Sequence, residues 1–332
     1  MSDQGEMQGD GVEVPPAAPP RTAGKVEIDT TKLPATQLFG MVHLPRGVMD
    51  KDGVLHRAVS IKQMSGKHAA SLVTGGNFDK NRLLNVLCDC CVSFGDYTAP
   101  ADAKQIREML TSDVLIVEQQ YLLLQLRQLA LGPVYDYTAR CPNVDRCEHV
   151  GEYSVNLPDL TFTGDMDGSP VRVMDFENQD GKVWKVEWHY ATAADDKWFT
   201  QLFERWQANY KRLKPKEREE EFSPDDLTIL MAMFFMRVHA VVDPDGVRHV
   251  LRRHSAVVQD ERNVMEADPV AFMLTLPLYM FNEFAFHMDE IEPALDNRVE
   301  YECEACGAPM ETTILMASPS FFAGASRKTR KR

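Results

Sequence analysis

Apolar and polar positions follow two kinds of pattern in the first half of the chain. Leu83–Phe94 and Asp102–Leu131 are rich in apolar residues over lengths that suit helices. Tyr135–Arg140 and Tyr153–Leu157 instead alternate as half-buried strands do. Gly132-Pro133 separates the two kinds and predicts where the last helix stops. This half therefore predicts helices followed by a pair of strands.

The second half repeats that order with additions. Val183–His189 alternates as a strand, and helices are predicted over Trp198–Leu213 and Leu227–His239. Ala240–Leu251 predicts a hairpin, because turn residues lie at its centre. Helical sequence resumes near Asn263 and runs, with breaks at prolines, to residue 287, before a strand predicted at residues 298–302. The shared order favours an α+β fold with two helix-rich modules and indicates an internal duplication.

Composition sets the boundaries of these modules. Residues 1–31 are acidic and rich in Pro and Gly, with almost no large apolar side chains, which predicts a disordered tail. The first α+β module is predicted over 32–160 and the second over 161–322, each ending in a cysteine pair. Residues 323–332 form a basic tail, for which a solvated terminus is the simplest interpretation.

Charge and hydropathy exclude several classes of protein. The net charge of −14 disfavours broad binding of nucleic acid, because phosphate backbones are held mainly by Lys and Arg. No stretch reaches the roughly 20 apolar residues that cross a bilayer, and the first thirty residues lack the charged-then-apolar order of a signal peptide. We therefore expect a cytosolic protein with protein partners, no membrane contact and an oligomeric state that the sequence leaves open.

Four of the seven cysteines form two pairs that predict a structural zinc site. Cys303 and Cys306 belong to a C-x-x-C-G sequence, whose tight turn can bring two thiolates onto one metal ion. Cys141 and Cys147 are separated by five intervening residues, so their loop must bulge, and His149 is close enough to replace one of them. Four thiolates would form a closed site that joins both modules through a zinc-ribbon-like pair of knuckles. The alternative is two pairs of free thiols.

The remaining chemical signals favour no catalytic role. Cys88, Cys90 and Cys91 lie in an apolar run and are predicted to be buried and inert. No phosphate loop, nucleophile elbow or metalloprotease helix is present, so no catalytic residue is assigned. An enzyme using Asp195 and Asp196 is the least favoured class, because adjacent acids usually mark a solvated helix start.

Methionine and phenylalanine are concentrated in the second half of the chain. Core packing is the favoured interpretation, since Met fills irregular interiors, and a groove for a partner helix is the alternative. The residues in question are Met231, Met233, Phe234, Phe235, Met236, Phe272, Met273, Met280, Phe281, Phe284 and Phe286.

Several scattered segments have the sequence pattern of a known family. The segments are Leu44–Gly47, His56–Ile61, Met64–Lys67, Met109–Asp113, Leu126–Tyr135, Val155–Leu160 and the C-terminal knuckle with Phe321-Phe322. These segments resemble the baseplate hub proteins and hub assembly chaperones of T-even-type contractile phages and of related contractile injection systems. Together they cover about half of the chain. Its acidic front and the wide first cysteine pair depart from the family pattern.

The resemblance implies a non-catalytic factor that helps to build, or lies within, the central hub of a tail baseplate. Its partners would be other phage tail or baseplate proteins. Its place would be the cytoplasm of the bacterial host, with incorporation into the virion tail left open. A zinc-ribbon adaptor for nucleic acid is the competing class, suggested by the knuckles and the basic tail, and an enzyme follows at a distance.

Overall fold

The structure is a computed structural model of the chain. It describes residues 39–73, 80–143, 147–164, 172–177, 180–220, 223, 232–251, 264–266, 268–316 and 319–322. All of these residues belong to one compact unit, Gln37–Arg332. The predicted tails at 1–31 and 323–332 lie outside the described residues.

Helices and strands both occur throughout the described residues, which confirms the α+β class. The strands are β1 (Phe39–Met49), β2 (Leu55–Lys62), β3 (Cys91–Phe94), β4 (Tyr97–Thr98), β5 (Val134–Arg140), β6 (Val150–Asn156), β7 (Phe162–Thr163), β8 (Arg172–Glu177), β9 (Val183–Trp188), β10 (Val238–Val242), β11 (Arg248–Val250), β12 (Val264–Glu266), β13 (Ala294–Leu295), β14 (Arg298–Glu302) and β15 (Pro309–Thr313). The helices are α1 (Gly66–Val73), α2 (Lys80–Cys90), α3 (Ala103–Glu108), α4 (Ile116–Leu131), α5 (Ala193–Arg212), α6 (Pro215–Glu220), α7 (Pro269–Met273), α8 (Leu278–Ile291) and α9 (Pro319–Phe322). Met109–Asp113 forms a π-helical turn and Leu157–Asp159 a 3-10 turn.

The strands form two larger sheets and three two-stranded ribbons. One sheet has the order β1-β2-β3-β4 and is antiparallel. The other has the order β12-β11-β10-β9-β8, and its β11–β12 pair is parallel. The ribbons are β5–β6, β14–β15 and β7–β13. The predicted hairpin at Ala240–Leu251 corresponds to β10 and β11.

A continuous hydrophobic core contains residues of both predicted modules. It extends along the chain from Val42 to Phe322, and its largest buried side chains include Trp188, Phe234 and Phe284. The helix end predicted at Gly132 is also present, because α4 stops at Leu131 and Gly132 has a φ of 90°, a conformation that favours glycine. The division between modules at residues 160 and 161 stays a prediction.

Two of the helices predicted in the first half are interrupted. Leu83–Phe94 ends as a helix at Cys90, because residues from Cys91 onward pair with β2. Asp102–Leu131 breaks at Val114, whose backbone is extended, and the N–H of Ile116 donates to the carbonyl of Ala191. In both places pairing with a distant segment outweighs local helix propensity.

Two helices predicted in the second half are also shorter than expected, because strands occupy their ends. The helix predicted over Leu227–His239 does not include His239, which lies in β10 beside β9, and residues 224–231 lie outside the described part. The helix predicted to resume near Asn263 is preceded by β12, because Val264 pairs in parallel with Arg248. These pairs join residues far apart in sequence, which local patterns do not reveal.

The predicted core role of the Met and Phe residues is confirmed for most of those described. Six of them are buried, namely Phe234, Phe235, Met273, Met280, Phe281 and Phe284. Met231 lies outside the described residues. Phe286 is the exception, since 67% of its surface is exposed on helix α8. This side chain therefore contributes to a surface rather than to the core.

Candidate metal centre

Both cysteine pairs lie at the tips of antiparallel ribbons. Cys141 directly follows β5, and Cys147 shortly precedes β6. Cys303 directly follows β14, and Cys306 lies in the turn before β15. The alternating sequences form the ribbons, and the residues between the strands supply the loops. Two hairpins from distant parts of the chain thus present their cysteines in the same way.

The four sulfur atoms meet in one cluster. The Sγ atoms of Cys141 and Cys306 are 3.7 Å apart, those of Cys147 and Cys303 are 3.8 Å apart, and all four lie within 4.8 Å of one another. A tetrahedral ion with metal–sulfur bonds of about 2.3 Å requires sulfur–sulfur distances of about 3.8 Å. A disulfide would need about 2.05 Å, and the cysteines are free. The four thiols therefore fit a tetrahedral metal ion.

Backbone hydrogen bonds shape the two loops. The N–H of Gly307 donates to the carbonyl of Cys303 at 2.8 Å, and the N–H of Cys303 donates to the carbonyl of Ala308 at 2.9 Å. Gly307 has a φ of 68°, which residues with a Cβ rarely adopt. This turn is the tight knuckle that the C-x-x-C-G sequence predicts.

The wider first loop is closed differently. The N–H of Cys141 donates to the carbonyl of His149 at 2.9 Å, and the N–H of Cys147 donates to the carbonyl of Asn143 at 2.8 Å. Residues 144–146, which make up most of the bulge, lie outside the described part. Cys147 joins the cluster despite the five-residue spacing.

Backbone N–H groups also point at the sulfur atoms. The N–H two residues beyond the cysteine donates to Cys141, Cys147 and Cys303, from Asn143, His149 and Ala305 respectively. Such bonds favour the thiolate, which is the form that binds metal. The chain therefore provides an orienting shell around the cluster, built mostly from backbone.

The thiols of the cluster differ in pKa. Burial raises the pKa of Cys303, but hydrogen bonds from the N–H groups of Ala305 and Cys306 outweigh it and lower the pKa to about 6. The Asn143 N–H favours the Cys141 thiolate, yet burial and the neighbouring sulfurs raise the pKa of Cys141 to about 12. Without metal, a thiolate at Cys303 is thus stabilised by protonated neighbours. A cation would displace those protons.

An aromatic cluster lies beside the cysteines. The ring of Tyr153 is 4.4 Å from that of Tyr301 and 5.9 Å from that of Tyr137, measured between centroids, and Tyr137 also contacts Tyr301 edge to face. Tyr137 and Tyr153 are partners in the β5–β6 ribbon, whereas Tyr301 belongs to β14. The rings therefore pack the two ribbons against each other. Alternation could have placed the first two tyrosines together, but no sequence signal pointed to Tyr301.

A buried arginine joins the first ribbon to the C-terminal helix. Arg127 donates from Nη2 to the carbonyl of Val134 at 3.1 Å and from Nε to the carbonyl of Phe321 at 3.3 Å. Its guanidinium also lies over the rings of Tyr135 and Phe321. No sequence pattern marks Arg127, because its partners are backbone carbonyls 7 and 194 positions away.

The other predicted residues lie outside the cluster. His149 is not among its donor side chains and contributes through its backbone. Cys90 and Cys91 are buried, and burial raises the pKa of their thiols to about 11 and about 12. Cys88 is half-buried, and burial raises its pKa as well. These three thiols are poor nucleophiles at neutral pH, as the inert role predicts.

The acids at the start of α5 are less exposed than the sequence predicts. Asp195 was expected to be solvated, but it is buried, and its Oδ2 accepts hydrogen bonds from the backbone N–H and the hydroxyl of Thr192 and lies 2.8 Å from Nε2 of His189. The carboxylate closes the first turn of the helix, and the His189 contact explains its burial. Asp196 is half-buried beside it.

Comparison with known proteins identified no relative of the chain. No family model, curated protein or solved structure matches the chain. None of the described helices has the length and apolar character that a membrane span requires. Within the described residues, the four cysteines are the one group of three or more His, Cys, Asp or Glu side chains arranged to hold a metal ion.

Proposed function

We propose that this protein is a structural, non-catalytic assembly factor of a contractile phage tail baseplate, stabilised by one zinc ion. The observation that carries the structural zinc site is the convergence of four thiols from two distant hairpins. Zinc suits it because four cysteines in a tetrahedron form a closed structural site with no position left for water or substrate. Such a site supports a scaffold rather than a reaction.

Zinc would act here as a clip between distant parts of the chain. Cys141 and Cys303 are 162 positions apart, so the ion would remove much loop freedom from the unfolded state. The hairpin-tip arrangement of both pairs supports a ribbon pair of the zinc-ribbon type. It also agrees with an internal duplication, since each proposed copy would end in one ribbon.

The baseplate role rests on the resemblance of the scattered segments from Leu44–Gly47 to Phe321-Phe322 to hub proteins and hub chaperones. In that role the protein would contact other tail proteins in the cytoplasm of the bacterial host. Two of those segments lie at structurally important places: Leu126–Tyr135 contains Arg127, and Phe321 accepts its hydrogen bond. The hydrogen bond therefore joins these two segments within the fold.

A nucleic-acid adaptor is the second candidate, favoured by cysteines at ribbon tips. The net charge of −14 argues against it, because phosphate contacts need a basic surface. Titration with duplex DNA and single-stranded RNA separates the two candidates. The assembly role predicts no binding at 150 mM salt, and submicromolar binding there would favour the adaptor.

Metal analysis tests the site directly. We expect about one zinc per chain in the purified protein, and loss of the metal in Cys303→Ser and Cys306→Ser. Cys88→Ser is the matched control, since Cys88 lies in α2 outside the cluster, and it should retain the metal. Protein that carries no metal, or that loses it equally in all three variants, would contradict the zinc proposal.

Gene context and co-purification test the baseplate role. The encoding gene should lie among tail-tube, tape-measure and baseplate genes. Co-expression with the neighbouring products should yield a complex that survives gel filtration. Housekeeping neighbours together with a protein that binds none of them would overturn the role while leaving the zinc site in place.

A further inference from the structure

A groove of about 500 Å³ lies between strand β8 and helix α8. Met174 lines it from the strand, and Asn282, Glu283, Phe286, His287 and Glu290 line it from the helix. Those helix positions are spaced so that they share one face. Phe286 presents most of its ring there, although it could have been a core residue by sequence.

Strand β8 forms one edge of the five-stranded sheet. It pairs with β9 along all six of its residues, and within the described residues no strand pairs with its opposite edge. An open edge presents unpaired N–H and carbonyl groups that can bind another strand. A groove between an open strand edge and a helix is a form used to bind extended peptides by strand addition.

The two faces of β8 differ in character. Met174 and Phe176 point to one side, towards the groove and the core. Val173, Asp175 and Glu177 are exposed on the other side, where Lys185 of β9 is the cross-strand partner of Asp175 and leaves Glu177 as the acid without a lysine opposite it. A strand added to β8 would alternate in the same way, with one row of side chains beside Phe286 and the other beside the two acids. Glu283 and Glu290 add negative charge along the helix.

We propose that this groove binds an extended segment of a partner protein that alternates apolar and basic side chains and adds to β8 as a further strand. The apolar row would cover Met174 and Phe286, and the basic row would face Asp175 and Glu177. The inference deepens the proposed assembly role by naming a contact surface and the chemistry of the partner. It does not depend on the metal.

Charge argues for a different protein as occupant rather than a second copy of this chain. Pairing β8 with the β8 of a second copy would bring Asp175 and Glu177 close to the same acids of the other strand. Like charges across a strand pair are destabilising. A basic segment removes that repulsion and replaces it with attraction.

Peptide binding tests the surface. The probe is a fluorescent peptide, acetyl-Lys-Val-Lys-Leu-Lys-Val-Lys-Leu-amide, titrated into the full chain at 150 mM salt. We expect saturable binding that weakens at least tenfold in Phe286→Ser and in Glu283→Lys. The matched controls are Leu315→Ser, whose side chain is equally exposed at 67%, and Glu204→Lys on the exposed face of α5. Both controls should bind like the unaltered protein.

Backbone methylation tests strand addition itself. Two further probes carry N-methyl groups on alternate residues, one set on each edge of the peptide. One of them should lose binding and the other should keep it, because a single edge faces β8. Equal binding by both methylated probes would overturn the strand geometry, and so would equally tight binding of a peptide of residues 323–332, which is basic but not alternating.

Sedimentation velocity addresses the competing occupant. We expect that the groove does not join two copies of the protein, so Phe286→Ser should leave the sedimenting mass unchanged. A dimer that Phe286→Ser dissociates would assign the groove to a second copy and overturn the partner proposal. Zinc-loaded Phe286→Ser that still assembles with tail proteins would reject the groove alone, whereas a failure of the unaltered protein to assemble would reject the assembly role.

Discussion

The main core and the paired ribbons are held together by different means. In the main core, large buried side chains such as Trp188, Phe234 and Phe284 pack edge to face within one continuous cluster. The separate cluster at the ribbon tips has three buried residues, of which two are cysteines, Cys141 and Cys303, and the third is Met310. The main core buries far more apolar surface than the ribbon tips, and the ribbons also pack against it through Tyr135, Tyr137, Val155 and Val299.

The small amount of buried apolar surface at the ribbon tips gives a physical reason for a cluster of four thiols there. Small units that bury little apolar surface usually need a disulfide or a metal to fold. At the ribbon tips, four thiols and three tyrosines in mutual contact take the place of a larger core. The independence of the two regions is open to experiment.

If the cysteine cluster holds zinc as proposed, removal of the metal should unfold the ribbon tips and leave the main core folded. Structural zinc sites in peptides contribute about 10 kcal/mol or more of apparent binding free energy, which here would be lost locally. Hydrogen exchange measured with and without chelator should show lost protection in β5, β6, β14 and β15, with little change in α4. Simultaneous loss in α4 would mean that the two regions form one cooperative unit.

Truncation of a large core side chain should destabilise the main core and leave the ribbon tips unchanged. Trp188 is almost fully buried against Tyr190 and Phe284, so Trp188→Ala should lower the free energy of unfolding by about 3–5 kcal/mol. Urea unfolding measures the change, and zinc content at neutral pH should stay near one per chain. Loss of zinc in this variant would show that the ribbons depend on the core.

Acid should weaken the main sheet through Glu187. Burial raises the pKa of this carboxyl, but Arg248 and His239 outweigh burial and lower it from 4.5 to about 2. A lowered folded pKa means that the stabilisation is complete above about pH 4.5 and is lost as the pH falls towards 2. Glu187→Gln should remove this dependence and cost about 1–3 kcal/mol at neutral pH.

Unfolding followed from pH 6 to pH 2 checks that expectation. Glu204→Gln, on the exposed face of α5, is the control and should follow the unaltered protein. If Glu187→Gln retained the full loss of stability between pH 4.5 and pH 2, other carboxyls would have to account for it.

The tyrosine cluster should contribute the smallest effect. Tyr301→Leu keeps most of the apolar volume but removes the ring contacts with Tyr137 and Tyr153, worth about 0.5–1.5 kcal/mol. The change should appear as faster hydrogen exchange in β14 with unchanged urea unfolding of the main core. An unchanged exchange rate would show that the ring contacts of Tyr301 do not stabilise the ribbon pair.

Sequence patterns predicted the pieces of the candidate site better than their surroundings. The C-x-x-C-G turn needs a glycine at positive φ, and Gly307 provides it, so a local rule sufficed. The ends of the predicted helices were wrong at Cys91, Val114 and His239. In each case the backbone at the helix end pairs with a strand or bridge residue from elsewhere in the chain. Local propensity contains no information about such partners.

The sequence by itself determined the alternating strands, the glycine turns and the two cysteine pairs, because each depends on residues close together in the chain. Tertiary structure alone decided that the two pairs meet, that Tyr301 packs on Tyr153, and that Phe286 stays outside the core. The physical reason is that these outcomes depend on which distant surfaces bury each other, a choice made by the whole chain as it packs.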